Sequence, residues 1–194
     1  MDEGWGMYAV RALDDSTWDL FAELVERNGG VYGGCWCIAY HPRKPEGLSN
    51  REAKHQRVLD DAAHAALVLD DQGVAQGWAQ YGRPDELAGF KHRREYDKDA
   101  PPPPDWRIAC VFVDKQHRGL GIARAAVTGA LDLIAVEGGG LVEAVSEVTD
   151  GRQAQPRFLF SATVELFDDL GFTRVRQVGK HAWIVNRELA GRHR

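Results

Sequence analysis

Cysteine is scarce in this sequence: Cys35, Cys37 and Cys110 are the three in 194 residues. So odd and sparse a set cannot supply a disulfide framework for a chain of this length, and a reducing compartment is expected. Long apolar runs are missing as well. Without some 18 consecutive apolar residues no segment is expected to span a membrane. The opening Met1-Asp2-Glu3-Gly4-Trp5 is acidic and lacks an apolar core, so no signal peptide is expected. Basic charge is not in excess, because 24 Lys and Arg face 29 Asp and Glu for a net charge of -5. Dedicated nucleic-acid binders rest their affinity on a basic field, which argues against that class. The expectation is a cytoplasmic protein with neither nucleic-acid nor membrane partners.

Apolar residues suffice for a core. With 44% hydrophobic and 27% charged residues the chain lies outside the disordered range, and its length suits a single domain over 1–194. Ser16 with Asp19, followed by apolar residues at helical spacing from Trp18 to Val25, predicts a helix over 17–27. Ser49 with Glu52 predicts a second helix over 50–63. Two apolar segments, 65–69 and 74–81, flank the polar turn Asp70-Asp71-Gln72-Gly73 and predict a hairpin. Residues 82–105 are charged and turn-rich and end in Pro101 to Pro104, so a long loop is expected there, with Lys91-His92-Arg93-Arg94 as a solvated face.

Arg107 to Val113 is an almost unbroken apolar run, the pattern of a strand covered on both faces. A helix from Ile122 to Gly138, a strand at 141–145, a short helix over 162–170 and closing strands at 172–178 and 181–187 follow. Strand, helix, strand in that order implies a parallel pair with a right-handed crossover. The fold class expected is therefore α/β (α+β), a mixed central sheet of about six to seven strands flanked by about four helices.

The informative chemistry lies between Val113 and Arg124, where a buried strand gives way to an amphipathic helix. Unsatisfied N–H groups and the helix dipole make such a junction an anion site. Gly119, Gly121 and Ala123 let a ligand approach the backbone, and Arg118 and Arg124 add full charges. A pyrophosphate fits. A dinucleotide fingerprint needs glycine where Arg124 stands, and the Gly-Lys-Ser/Thr of a P-loop is absent. What remains is the spacing Arg/Gln-x-x-Gly-x-Gly/Ala, in two registers: Gln116 with Gly119 and Gly121, or Arg118 with Gly121 and Ala123.

In the second register the segment resembles the GNAT superfamily of acyl-CoA-dependent N-acyltransferases. The resemblance extends to the hairpin with Gly77-Trp78, the strand at 141–145 and Phe167-Asp168-Asp169-Leu170-Gly171-Phe172, which is similar to the family's helix ending in Gly-Phe. It covers about 65–187 as the acyl-CoA-binding core and leaves 1–64 as an N-terminal, helical, acceptor-side part. It implies two splayed parallel central strands, acetyl-CoA as co-substrate, no metal, and transfer to a primary amine, on a small molecule, by direct attack in a ternary complex. Val111, Phe112 and Val113 would lie along the pantetheine, with strand N–H groups stabilising the oxyanion. Arg118, Gly119, Leu120, Gly121, Ile122, Ala123 and Arg124 would cradle the pyrophosphate, and Phe167 would stand near the cofactor.

One departure matters. Where many members carry a tyrosine that protonates the leaving thiolate, this chain has Phe167, which has no proton to give. A thiol's pKa near 8.5 makes the thiolate a tolerable leaving group, whereas deprotonating an alkyl amine at neutral pH costs about 4.6 kcal/mol. The missing acid therefore does not rule out catalysis, and Ser161 or Thr163 would assist through a hydroxyl. Glu143, on the second splayed strand, is the candidate base, with an arginine partnership as its alternative role. Trp36, Trp78 and Tyr81, with Tyr40, are candidates for an acceptor pocket or for the core. Cys35-Trp36-Cys37 with His41 supplies too few ligands for zinc. Two further readings stay open: an acyl-CoA sensor that has lost turnover, and a protein or peptide N-acetyltransferase. Exposed terminal strands would allow a homodimer.

Overall fold

The apolar runs pair into one sheet in a computed structural model that describes residues 8–151 and 160–192. Its strands are β1 (Ala9–Ala12), β2 (His64–Leu69), β3 (Ala75–Gly82), β4 (Trp106–Val113), β5 (Gly139–Glu147), β6 (Thr173–Gln177) and β7 (Ala182–Ala190). Their spatial order is β1-β2-β3-β4-β5-β7-β6, and β4 with β5 is the parallel pair. The helices are α1 (Trp18–Arg27), α2 (Asn50–Leu59), α3 (Arg93–Asp97), α4 (Ile122–Val136) and α5 (Val164–Asp169). The seven strands and five helices among the described residues agree with the fold class expected from the sequence.

Each sheet face has its own core. One face buries Val111, Ile122, Val127, Ile134 and Phe167 beneath α4 and α5. The other buries Trp18, Phe21, Leu24, Trp78, Cys110 and Phe112 beneath α1. Alternation along β4 sends Cys110 and Phe112 to the second face and Val111 to the first. Gly77 marks where β3 meets the start of α4: a Cβ there would stand 2.6 Å from Ile122 Cγ2 and 2.7 Å from the Phe112 carbonyl oxygen.

The sheet opens at its centre. β4 and β5 pair only through Trp106 with Val142, Arg107 with Glu143 and Ile108 with Ala144. The next residue, Ala109, is the extra one in β4, since Ile108 faces Tyr81 and Cys110 faces Gln80. A bulge bends its strand, and past it β4 runs to Val113 and β5 to Glu147 without pairing. Residues 160–163 enter the gap, where the Phe160 carbonyl accepts the Val111 N–H at 2.7 Å and Thr163 bridges Glu147.

Several local expectations need correction. The first capping box is Asp14 with Thr17, ahead of a 3-10 turn, rather than Ser16 with Asp19. The predicted second helix stops at Leu59, four residues early, where the chain bends through Asp61 at φ +54°. The 82–105 segment contains α3, and β1 carried no recognisable signal. Strand β5 includes Gly139 and Gly140, which pair with Ala190 and Leu189 despite positive φ. The opening segment Met1 to Trp5 lies outside the described residues. Among the described residues no helix is long and apolar enough to cross a membrane.

Candidate active site

The turn expected to hold an anion is built on a buried carboxylate. Asp114 follows β4 and accepts from the Gln116 N–H at 2.9 Å, from Arg27 at 2.8 Å and from Asn28 at 3.1 Å. Burial alone would raise its pKa, but these donors outweigh burial and bring it down to about 2. The turn it anchors leads to Gly119 and Gly121, both left-handed at φ +80° and +79°. A Cβ at Gly119 would meet no neighbouring atom, so φ rather than crowding calls for glycine there. Helix α4 then starts at Ile122, and the Ala125 N–H bonds back to the Gly121 carbonyl. The N–H groups of Ile122, Ala123 and Arg124 therefore have no partner within the helix. Arg118 forms no ion pair among the described residues, while Arg124 is paired with Asp169.

These groups face a cleft of about 480 Å³. Val111, Phe112 and Val113 form its strand wall, Arg118, Gly119, Gly121, Ile122, Ala123 and Arg124 its helix end, and Tyr32, Ala162, Thr163 and Leu166 the rest. The Asp114 N–H bonds to Gln76 on β3 and the Val111 N–H bonds to Phe160 on the cleft side. By strand alternation Phe112 turns its N–H and C=O toward β3, and Val113 presents its own to the cleft. The Val111 N–H is already engaged with Phe160.

Two expected cofactor residues do not line the cleft. Leu120 is 55% exposed and Phe167 is 0% exposed, its ring edge-on to Phe172 at 4.9 Å, and neither is among the lining residues. Thr163 caps α5, accepting from the Leu166 N–H at 3.2 Å.

Beyond Tyr32 lies a second chamber of about 230 Å³, lined by Tyr32, Cys35, Cys37, Ala39, Tyr40, Cys110 and Phe160. Its outer wall is a loop in which Val31, Tyr32, Trp36 and Cys37 all take positive φ. Behind the wall lies a buried polar chain: Cys37 donates to Gln80, Gln80 Nε2 lies 2.6 Å from His41 Nε2, and Lys54 Nζ lies 3.1 Å from the same nitrogen. Burial, with Lys54 beside it, lowers the His41 pKa to about 2, so the ring is neutral. His41 Nδ1 therefore donates to the Glu86 carbonyl, 3.1 Å away, and Nε2 accepts. Among the described residues no group of three or more His, Cys, Asp or Glu could hold a metal, Cys35, Cys37 and His41 included.

The structure brings Glu143 and Ser161 together at a cavity of only about 20 Å³. Glu143 is 2% exposed; its carboxylate accepts from Tyr96 Oη at 2.9 Å and Arg107 Nε at 3.3 Å. Burial raises its pKa against these two donors. As placed it is an arginine partner, and it lines neither the cleft nor the second chamber. Trp36, Trp78 and Tyr81 also lie elsewhere. Trp78 stacks on Phe112 at 4.6 Å and Tyr81 packs near Trp106 within the core, while Trp36 lies against Trp18 and Phe21. Sequence reasoning missed Tyr32 and Phe160. Gly29-Gly30 and Gly33-Gly34, which bracket Tyr32 in a left-handed loop, were the available signal.

Residues 16–159 match the acetyltransferase (GNAT) family. No curated protein sequence matches the chain. Among solved structures, one described as histone acetyltransferase HPA2 and related acetyltransferase, from Corynebacterium glutamicum, is 17% identical at a TM-score of 0.56, covering 95% of this chain and 97% of that one. A putative acetyltransferase, yncA, from Salmonella typhimurium with its cofactor acetyl-CoA is 17% identical at 0.54, covering 94% of each chain. A GNAT family N-acetyltransferase, YhbS, from Escherichia coli in complex with CoA is 18% identical at 0.50, covering 98% and 85%. At these identities the likeness is one of fold.

Proposed function

We propose that this chain, which belongs to the GNAT acetyltransferase family, transfers an acetyl group from acetyl-CoA to the primary amine of a small molecule. The observation that carries the reading is the divergence of β4 from β5 beside the open N-terminus of α4, which leaves strand and helix amides facing one cleft. Three helix N–H groups with Arg118 and Arg124 suit a pyrophosphate by hydrogen bonds and charge. Val113 has the free backbone groups for a pantetheine arm lying along β4.

The 230 Å³ chamber adjoining that cleft at Tyr32 suits the acceptor. It falls below the roughly 300–1,000 Å³ of drug-sized pockets, and aromatic rings and thiols line it, with no charged side chain among the described residues. That lining favours a compact amine with an apolar or aromatic body over an amino acid, a polyamine or a peptide. In this reading the amine nitrogen attacks the thioester carbonyl across the boundary of the two cavities, and Glu143 positions β4 against β5.

Calorimetry with CoA, followed by thiol release from acetyl-CoA with 2-phenylethylamine, spermidine and glycine, tests this. Binding of CoA and turnover favouring 2-phenylethylamine is the expected result. Binding without thiol release for any amine would instead support the sensor reading, which the buried Phe167 favours. No CoA binding would sink both.

A further inference from the structure

A departing thiolate benefits from a proton, and the position matching the family's acid tyrosine holds Phe167, sealed against Phe172. Other hydroxyls near the cleft are engaged or misplaced. Tyr96 donates to Glu143, Tyr40 borders the acceptor chamber without reaching the cofactor cleft, and Thr163, which lines the cleft and accepts from the Leu166 N–H, carries an aliphatic hydroxyl, a far weaker acid than a phenol.

Tyr32 differs from all of these. Of the described residues lining the two cavities it is the one common to both, so it stands at their boundary, where the acyltransferase reading has amine and thioester meet. Its hydroxyl makes no hydrogen bond among the described residues. Its ring is set edge-on to Phe112 on β4 at 6.2 Å and to Phe160 at 5.9 Å, which aligns it with the strand that flanks the cofactor. The backbone places it there at a cost. At φ +45° Tyr32 occupies the left-handed region that non-glycine residues rarely adopt, inside a turn closed by the Cys35 N–H and the Val31 carbonyl at 2.8 Å. Such strain persists where surrounding structure holds it, and it clusters at active sites.

From this geometry we propose that Tyr32 is the proton donor to the sulfur of the leaving CoA, replacing from the acceptor-side loop the acid that α5 lacks. The inference rests on the acyltransferase reading above. The acceptor enters as the neutral amine, its ammonium proton lost to solvent; as its nitrogen bonds to the carbonyl carbon and the carbon–sulfur bond breaks, the Tyr32 phenolic proton passes to sulfur. The phenolate then takes the proton that the new amide nitrogen sheds, so free CoA thiol and N-acyl amine leave and Tyr32 is restored. Because Tyr32 faces both cavities, one hydroxyl serves both transfers.

Tyr32→Phe keeps the ring and its packing, and its melting temperature checks the fold. The decisive comparison uses two donors, acetyl-CoA and its selenoester analogue, with 2-phenylethylamine as acceptor, since a selenolate leaves readily without a proton. The expected result is a fall in kcat of about tenfold or more on acetyl-CoA, little change in KM, and recovery toward wild-type kcat on the selenoester. No fall, or the same fall on both donors, would overturn the assignment while leaving the acyltransferase reading intact. The selenoester-specific recovery appearing in Thr163→Val and not in Tyr32→Phe would overturn it too. If wild type turns over neither donor with 2-phenylethylamine, spermidine or glycine, the acyltransferase reading itself fails, and this assignment with it.

Discussion

Arg107 and Glu143 face each other twice over: they are register partners in the parallel pair, and their side chains form an ion pair with Nε 3.3 Å from Oε1. One pair further along, at Ile108 with Ala144, the pairing ends and the strands diverge. The ion pair therefore sits at the hinge of the opening, with the Tyr96 hydroxyl completing the carboxylate's shell.

Glu143→Gln should behave as a structural lesion. Weakening a buried, hydrogen-bonded ion pair costs about 1–3 kcal/mol, to be read as a lower urea midpoint. The pH profile of kcat should keep its shape. A profile whose acid limb moves or disappears would restore Glu143 as the base.

Arg118→Ala should weaken CoA binding. A hydrogen bond to a charged group contributes about 1.5–3 kcal/mol, roughly ten- to a hundredfold in Kd. Arg124→Ala should cost less, because that guanidinium already shares its charge with Asp169. Calorimetry at low and high salt checks both, and equal losses would contradict the assignment.

Acid should expose the role of Asp114. A carboxylate whose folded pKa is depressed stabilises the fold above its unfolded value, and that stability drains away as pH falls through the folded one. For Asp114 the window runs from 3.8 down to about 2, and the contribution is about 2 kcal/mol. Asp114→Asn should lack this component of acid unfolding when midpoints are compared across that window. Parallel curves for the two proteins would refute the assignment.

His64 should act in the opposite direction. The Glu86 carboxylate, 2.8 Å from Nδ1, raises its pKa above 6.5 against the effect of burial, and Asp61 adds to the rise. A base whose folded pKa is raised gives its full stabilisation below the unfolded value and loses it as pH climbs through the folded one. Urea midpoints should therefore decline from about pH 6.5 upward in wild type, and His64→Gln should show a flatter dependence. Identical slopes would mean that the His64 contact contributes no linkage.

Elements with strong local signals were legible from the chain alone. The Ser49 and Glu52 capping box, the polar turn of the β2–β3 hairpin and the apolar β4 run all encode short-range preferences. Edge strand β1 and helix α3 are too short to carry a period, and tertiary pairing creates them. Trp78 and Tyr81 illustrate the limit at the site. An aromatic side chain suits a core and a pocket equally, and only packing decided that Tyr32 and Phe160 would line a chamber while Trp78 and Tyr81 would be sealed.

The strand-to-helix turn was legible locally, because glycine conformation, helix start and arginine charge are properties of neighbouring residues from Arg118 to Arg124. Tertiary structure decided the chemistry around it. The bulge at Ala109, the Arg107–Glu143 hinge and the packing of Tyr32 against Phe112 and Phe160 each depend on residues far apart in the chain, whose contacts no local pattern records.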